Sequence, residues 1–173
     1  MKKEFVMPIL VLTLICLFIS AALAITNHFT GPVIAKAAAG RAEAARSEVV
    51  PEADSFELLQ ADGLPATVKE VYKASNGAGY VFVLTVSGYG GDIGLICGIA
   101  PDGTIIATKT LQQSETKGMG SKIMEAPFAG QFPGKDASLD GVDMISGATI
   151  SSKAYINAIK DAFAAFDIIK GVQ

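Results

Sequence analysis

The sequence predicts an α+β protein: an N-terminal transmembrane helix and helical stalk, then an antiparallel-sheet domain closed by a C-terminal helix. Three observations carry this prediction. Phe5 to Ile25 is a 21-residue run with no side chain ionisable near neutral pH except the Cys16 thiol. From Thr67 to Thr110 apolar residues recur with a period of two between turn signals. After Ser152 the spacing becomes helical.

The first run, wound as a helix at 1.5 Å per residue, spans roughly 31 Å, about the thickness of a bilayer core. Lys2 and Lys3 precede it and the next basic residue is Lys36, so the positive-inside bias puts residues 1–4 in the cytoplasm as a short tip and everything after Ile25 outside. Ala22-Leu23-Ala24 fits a small-x-small cleavage site. The run is nonetheless longer than the apolar core of a secretory signal, so it reads as an uncleaved anchor, residues 5–25, in the lipid bilayer. Either way the domain is exported. Nothing ionisable sits in the span to relay protons or hold an ion, which leaves any pumping to other subunits. His28, just beyond, reads as an interfacial polar residue.

Residues 26–52 form the expected stalk. Pro32 to Val49 is Ala-rich with spaced charges, weakened at Gly40 and stopped at Pro51. The extracytoplasmic domain is then 53–173, enough chain for one modest core. Its strands come in pairs. Val68 to Tyr72 and Tyr80 to Val86 flank Asn76-Gly77, a strong hairpin signal. Gly94 to Ile99 and Thr104 to Thr110 flank Pro101-Asp102-Gly103, where Pro presets φ and Gly accepts a positive one. Leu111 to Val142 has no sustained period and holds five glycines, a length without local structure that is usually functional. Ile156, Ile159, Phe163 and Phe166 then make one apolar helical stripe, with Ser151 or Ser152 as an expected N-cap.

Composition removes several function classes. The net charge is −3, and without Lys2, Lys3 and Glu4 the rest carries 12 basic and 16 acidic residues. No basic stripe is available for nucleic acid. Two cysteines, one in the span and one in an apolar strand, build neither a disulfide framework nor a thiolate metal site, and one histidine builds no His triad. Cys97 reads as a small buried hydrophobe.

The candidate site precedes the last helix: Asp143-Met144-Ile145-Ser146-Gly147-Ala148-Thr149, followed by Ile150-Ser151-Ser152. A helix N-terminus offers unpaired amides and the positive dipole end to a phosphate, and Gly147 permits close backbone approach. By composition alone, serines and threonines here are equally ordinary helix caps.

Asp143-x-x-Ser146-Gly147-Ala148-Thr149 resembles the flavinylation motif of the extracytoplasmic FMN-binding domain family, which includes the G subunit of the Rnf electron transport complex and the C subunit of the sodium-pumping NADH:quinone oxidoreductase. The resemblance implies that Thr149 carries FMN through a phosphodiester, installed by a flavin transferase that uses FAD and magnesium. It implies that Asp143 helps the transferase recognise or activate the site and that Ser146, Gly147 and Ala148 shape the turn. Glu115-Thr116-Lys117-Gly118-Met119-Gly120 is similar to the family's Glu-Thr-Pro-Gly-Leu-Gly segment, which implies that Glu115, Thr116, Gly118, Met119 and Gly120 lie against the flavin. Lys117 stands where Pro is usual and Met119 where Leu is usual. Gly88-Tyr89-Gly90-Gly91 also looks like a family feature, although turn chemistry accounts for it equally. Either Glu115 or Asp143 could tune the flavin. Phe128 and Phe132 read as core.

The implied protein is a single-flavin electron-transfer subunit of an Rnf-type ferredoxin:NAD oxidoreductase, partnered by the other membrane subunits of that complex. The alternatives are the quinone-reductase relative, a stand-alone exported flavoprotein and, from another class, an anchored non-redox binding module.

Overall fold

The computed structural model describes residues 2–172, with side chains over 6–32 and 40–171. The Lys2, Lys3 and Lys36 side chains, on which the expected orientation rests, lie outside that description. Helix α1 runs Lys2–Val49 with Pro8 and Pro32 inside it. Val6–Pro32, 27 residues, is long and apolar enough to cross a membrane. Within it the hydroxyls of Thr13, Thr26 and Thr30 each donate to the carbonyl four residues back at 2.9 Å, so these three hydroxyls are satisfied inside the helix.

The chain divides into two compact units, Met1–Arg41 and Ala42–Gln173. The second is built on an antiparallel meander: β1 (Phe56–Leu59), β2 (Val68–Ala74), β3 (Tyr80–Ser87), β4 (Asp92–Ile99) and β5 (Ile105–Gln112), in spatial order 1-2-3-4-5. Tight turns make this order. Asn76 Oδ1 accepts from the Ala78 N–H while Gly77 takes φ +75°. At the second turn Asp102 Oδ1 accepts from both the N–H and the hydroxyl of Thr104, which holds its carboxyl below the usual range. β3 and β4 pair without slippage from Tyr80↔Ile99 to Ser87↔Asp92.

Alternation then assigns two faces. Phe82, Leu84, Leu95 and Cys97 pack against α3 (Thr149–Val172) through Tyr155, Ala158, Ile159, Ala162, Phe163 and Phe166. Val81 and Ile96 point the other way, onto Ala45, Val49 and Val50. β4 is therefore buried on both sides from Ile93 to Ile99, which explains its unbroken apolar run. Burial pushes the Cys97 thiol well above its ordinary pKa, and both cysteines are free.

Three expectations change. β1 was not visible in the sequence, because Phe-Glu-Leu-Leu is a four-residue edge strand without alternation. Residues 111–142 contain a 3₁₀ turn (Gly120–Met124) and a one-turn helix α2 (Ala126–Ala129), and bring Ile123 and Leu139 into the core beside Phe128 and Phe132, which are core as read from the sequence. Ser151 and Ser152 do not cap α3 from outside; they stand in its first turn, which begins at Thr149.

Candidate functional site

The site forms where three segments meet at one end of the sheet. The first is Gly88–Gly91 between β3 and β4, closed by the Gly88 N–H donating to the Gly91 carbonyl at 2.8 Å. The second follows β5. There the Thr116 carbonyl accepts from the Met119 N–H at 3.1 Å, with Gly118 at φ +79°. A positive φ at the third position is what a type II turn demands, and Pro is favoured at its second. That is the position of Lys117.

The third segment is Asp143 to Thr149, and side chains pin it along its length. At its start, Gln131 Oε1 accepts from the Asp143 N–H at 2.7 Å, and Gln131 Nε2 donates to the Asp143 carbonyl at 3.3 Å. One side-chain amide thus grips both backbone groups of residue 143. Further on, Ser152 Oγ accepts from the Ile145 N–H at 3.1 Å and donates to the Ala148 carbonyl at 2.9 Å. Gly147 has φ +80° and the Ala148 N–H donates to the Ile145 carbonyl. Thr149 then opens α3 with its side chain exposed.

These segments enclose a cleft of about 520 Å³. The Gly88–Gly91 turn gives it Tyr89, the loop gives it Glu115, Thr116, Met119 and Gly120, and the start of α3 gives it Gly147, Ala148, Thr149, Ile150 and Ser151. Seven of the ten expected site residues are therefore together. Gly118, Ser146 and Asp143 are not in the lining. Asp143 faces a separate depression with Gln131, Lys122, Glu125 and Met144. Sequence reasoning did not place Tyr89, Ile150 or Gln131 at the site. Only the glycines around Tyr89 signalled it.

Glu115 is the buried charge of the cleft, 8% exposed. Its Oε1 accepts the N–H groups of Tyr89 at 2.9 Å and Gly90 at 3.1 Å, and its Oε2 accepts the Ser151 hydroxyl at 2.6 Å. Gly88 and Gly120 leave room for it: a Cβ on Gly88 would overlap Oε1, and one on Gly120 would stand 2.5 Å from Oε2. These glycines answer to packing as well as to turns. Behind the cleft, Tyr155 is fully buried against Phe128 and Phe132, ring centroids 5.5 and 5.3 Å away. Burial pushes its phenol up to about 12, against smaller lowering effects of the Thr108 and Thr110 hydroxyls. None of these three hydroxyls reaches a hydrogen-bond partner of good geometry.

The walls suit a phosphorylated aromatic ring system. A helix N-terminus and an exposed hydroxyl supply the polar end. Tyr89 at 71%, Met119 at 51% and Ile150 at 57% exposure supply large apolar surfaces that stand in water unless something covers them. Among the described residues no group of three or more His, Cys, Asp or Glu is placed to hold a metal.

Comparison with known proteins agrees. Residues 88–164 match the FMN-binding domain family. The G subunit of the ion-translocating oxidoreductase complex of Methanosarcina acetivorans is 35% identical over 176 residues, covering 93% of this chain and 94% of the relative. The chain belongs to this G-subunit family. A second relative, the G subunit of the Na⁺-translocating ferredoxin:NAD⁺ oxidoreductase complex of Acetobacterium woodii, is 31% identical over 87% of this chain and 86% of its own. The crystal structure of Shewanella oneidensis NqrC superposes with a TM-score of 0.50 at 19% identity, over 64% of each chain. That likeness is one of fold, and the full-length relatives place this chain with the G subunits rather than with the quinone-reductase branch.

Proposed function

We propose that this chain is the membrane-anchored electron-transfer subunit of an Rnf-type ion-translocating ferredoxin:NAD oxidoreductase, with FMN esterified to Thr149. The observation that carries the reading is the exposed Thr149 hydroxyl at the N-terminus of α3, set in a cleft whose other walls are Tyr89, Met119, Ile150 and the 115–120 loop. The anchor is Val6–Pro32, and the domain faces away from the cytoplasm, where a flavin transferase modifies it. Its other partners are the membrane subunits of the complex.

In the modification, Thr149 Oγ forms a new P–O bond to the FMN phosphorus of FAD. The pyrophosphate bond breaks, AMP leaves, and the hydroxyl proton passes to solvent, with the transferase's magnesium carrying the phosphate charge. This chain contributes presentation: Gln131 and Ser152 hold residues 143–149, Gly147 bends the segment, and the first amides of α3 face the phosphate. Asp143, exposed and clear of the cleft, is free for the transferase to read. Bound flavin supplies one- and two-electron transfer, while the protein supplies position and electrostatics. Outside the cytoplasm no FMN pool refills an empty site, so a covalent bond removes loss by dissociation.

The test is coexpression of the full chain with an active transferase, followed by denaturing gel fluorescence and intact mass. Wild type should fluoresce and gain the mass of FMN less one water, and Thr149→Ala should do neither. A colourless wild type leaves an anchored non-redox module. A fluorescent Thr149→Ala moves the attachment to another residue.

A further inference from the structure

We infer that Glu115 is a potential-setting residue, a buried carboxylate in the cleft wall that makes the bound flavin harder to reduce. The inference rests on the FMN reading above and concerns which protein group governs that flavin. Two acidic side chains flank the site in sequence, and the fold separates them. Asp143 is exposed in the neighbouring depression, whereas Glu115 is 8% exposed and lines the cleft itself.

The carboxylate is built in by two segments. Its acceptors take two backbone N–H groups from the Gly88–Gly91 turn and one hydroxyl from the first turn of α3, and glycines at 88 and 120 make the space. All three partners are neutral donors. Among the described residues the salt bridge present is Lys109–Glu48, so Glu115 is hydrogen-bonded without being neutralised by a cation. Donors of this kind hold a charge in place and leave its field in the cleft, which is stronger where water is partly excluded.

A flavin that takes up two electrons and one proton gains one negative charge. A fixed carboxylate in the same cleft opposes that gain, so the oxidised form is favoured and the midpoint potential falls. Glu115 also positions the site, because it ties the turn bearing Tyr89 to the helix start bearing Thr149. The two roles are separable. In Glu115→Gln the amide oxygen still accepts from Tyr89 and Gly90, and the amide N–H₂ donates to Ser151 Oγ, whose hydroxyl simply rotates. The shape stays and the charge goes.

The experiment is spectroelectrochemistry on the full chain, flavinylated by coexpression and held in detergent, for wild type, Glu115→Gln and Ser151→Ala. Glu115→Gln should raise the midpoint potential, shifting the reduced-to-oxidised ratio about tenfold, or about 30 mV for a two-electron couple. Ser151→Ala keeps the charge and removes a compensating donor, so its potential should fall. An unshifted Glu115→Gln overturns the inference. If that variant takes up no flavin, Ser151→Ala decides: a potential equal to or above wild type overturns it. A second readout needs no flavin. In the unmodified Thr149→Ala chain the Tyr89 and Gly90 amides should exchange slowly with solvent, and adding Glu115→Ala should speed both; fast exchange before that change refutes the built-in carboxylate. A colourless wild type would remove the FMN reading and this inference together, while a yellow chain with unmoved potentials removes this inference alone.

Discussion

Replacing Gln131 tests whether the acceptor segment is presented in a preformed shape. Gln131→Leu keeps the apolar stem and removes three hydrogen bonds: from the Asp143 N–H at 2.7 Å, to the Asp143 carbonyl at 3.3 Å and to the Pro127 carbonyl at 3.2 Å. The first is short and the other two are long, and all are exposed, so a net loss of about 1–2 kcal/mol is expected. For a domain of about 130 residues this lowers the melting temperature by roughly 3–8 °C. If part of that energy serves to hold residues 143–149 in the form the transferase binds, the competent fraction falls with it. A loss of about 1.4 kcal/mol raises KM for the protein substrate by up to about tenfold, with kcat unchanged. Gln131→Glu retains the acceptor for the Asp143 N–H and loses both donations, so it should fall between. The assay is initial-rate flavinylation of the full chain in detergent with purified transferase, alongside a melt followed by circular dichroism. A lower melting temperature with an unchanged KM would refute presentation and leave Gln131 as a purely structural bond. A fall in kcat at constant KM would place Gln131 in the transfer step itself.

Three further outcomes follow from the same neighbourhood. Tyr155 has a folded pKa raised to about 12 from 10.0, so its contribution is complete below pH 10 and is lost as pH rises through 12, up to about 3 kcal/mol in all. Urea midpoints measured from pH 7 to 11 should decline less steeply in Tyr155→Phe than in wild type, and parallel curves would contradict the burial argument. At pH 7 the same variant should match wild type within about 1 kcal/mol, since the hydroxyl it removes has no well-placed partner. Lys117→Pro should stabilise the domain by about 0.4–1 kcal/mol, because Lys117 occupies the second position of a turn with Gly118 at φ +79°. A lower melting temperature in that variant would mean the turn is not of the type assigned.

What the sequence made legible was local. The Asn76-Gly77 and Pro101-Asp102-Gly103 turns are specified by the residues inside them, so four strands and their antiparallel pairing could be read directly, as could the apolar stripe of α3. β1 was not legible, because its identity comes from pairing with β2, Phe56↔Ala74 to Leu59↔Val71, and not from its own pattern. The start of α3 was misread for a related reason. Serines just before a helical stripe read as caps, but here Ser151 spends its hydroxyl on Glu115, 36 positions away, and Ser152 spends its own on Ile145 and Ala148. Residues 143–149 stood out through resemblance alone. The carboxylate in the cleft wall was visible as a residue but not as a junction, since its partners lie 25, 26 and 36 positions away.

The proposed ester bond also accounts for the form of the cleft. A cofactor held by enclosure needs walls that close over it, which would bury the ring and lengthen the path to any redox partner. A cofactor held by one bond to Thr149 lets the walls stay open, and Tyr89 and Ile150 are left largely exposed beside it. The demand moves to the acceptor segment, which must be recognised by a second enzyme and then keep the ring in a fixed place. Its pins accordingly lie outside the ring's space. Gln131 grips Asp143 from the neighbouring depression, and Ser152 grips Ile145 from within the buried side of α3. Neither lines the cleft, so each can hold the segment before and after modification without competing for the volume the flavin takes.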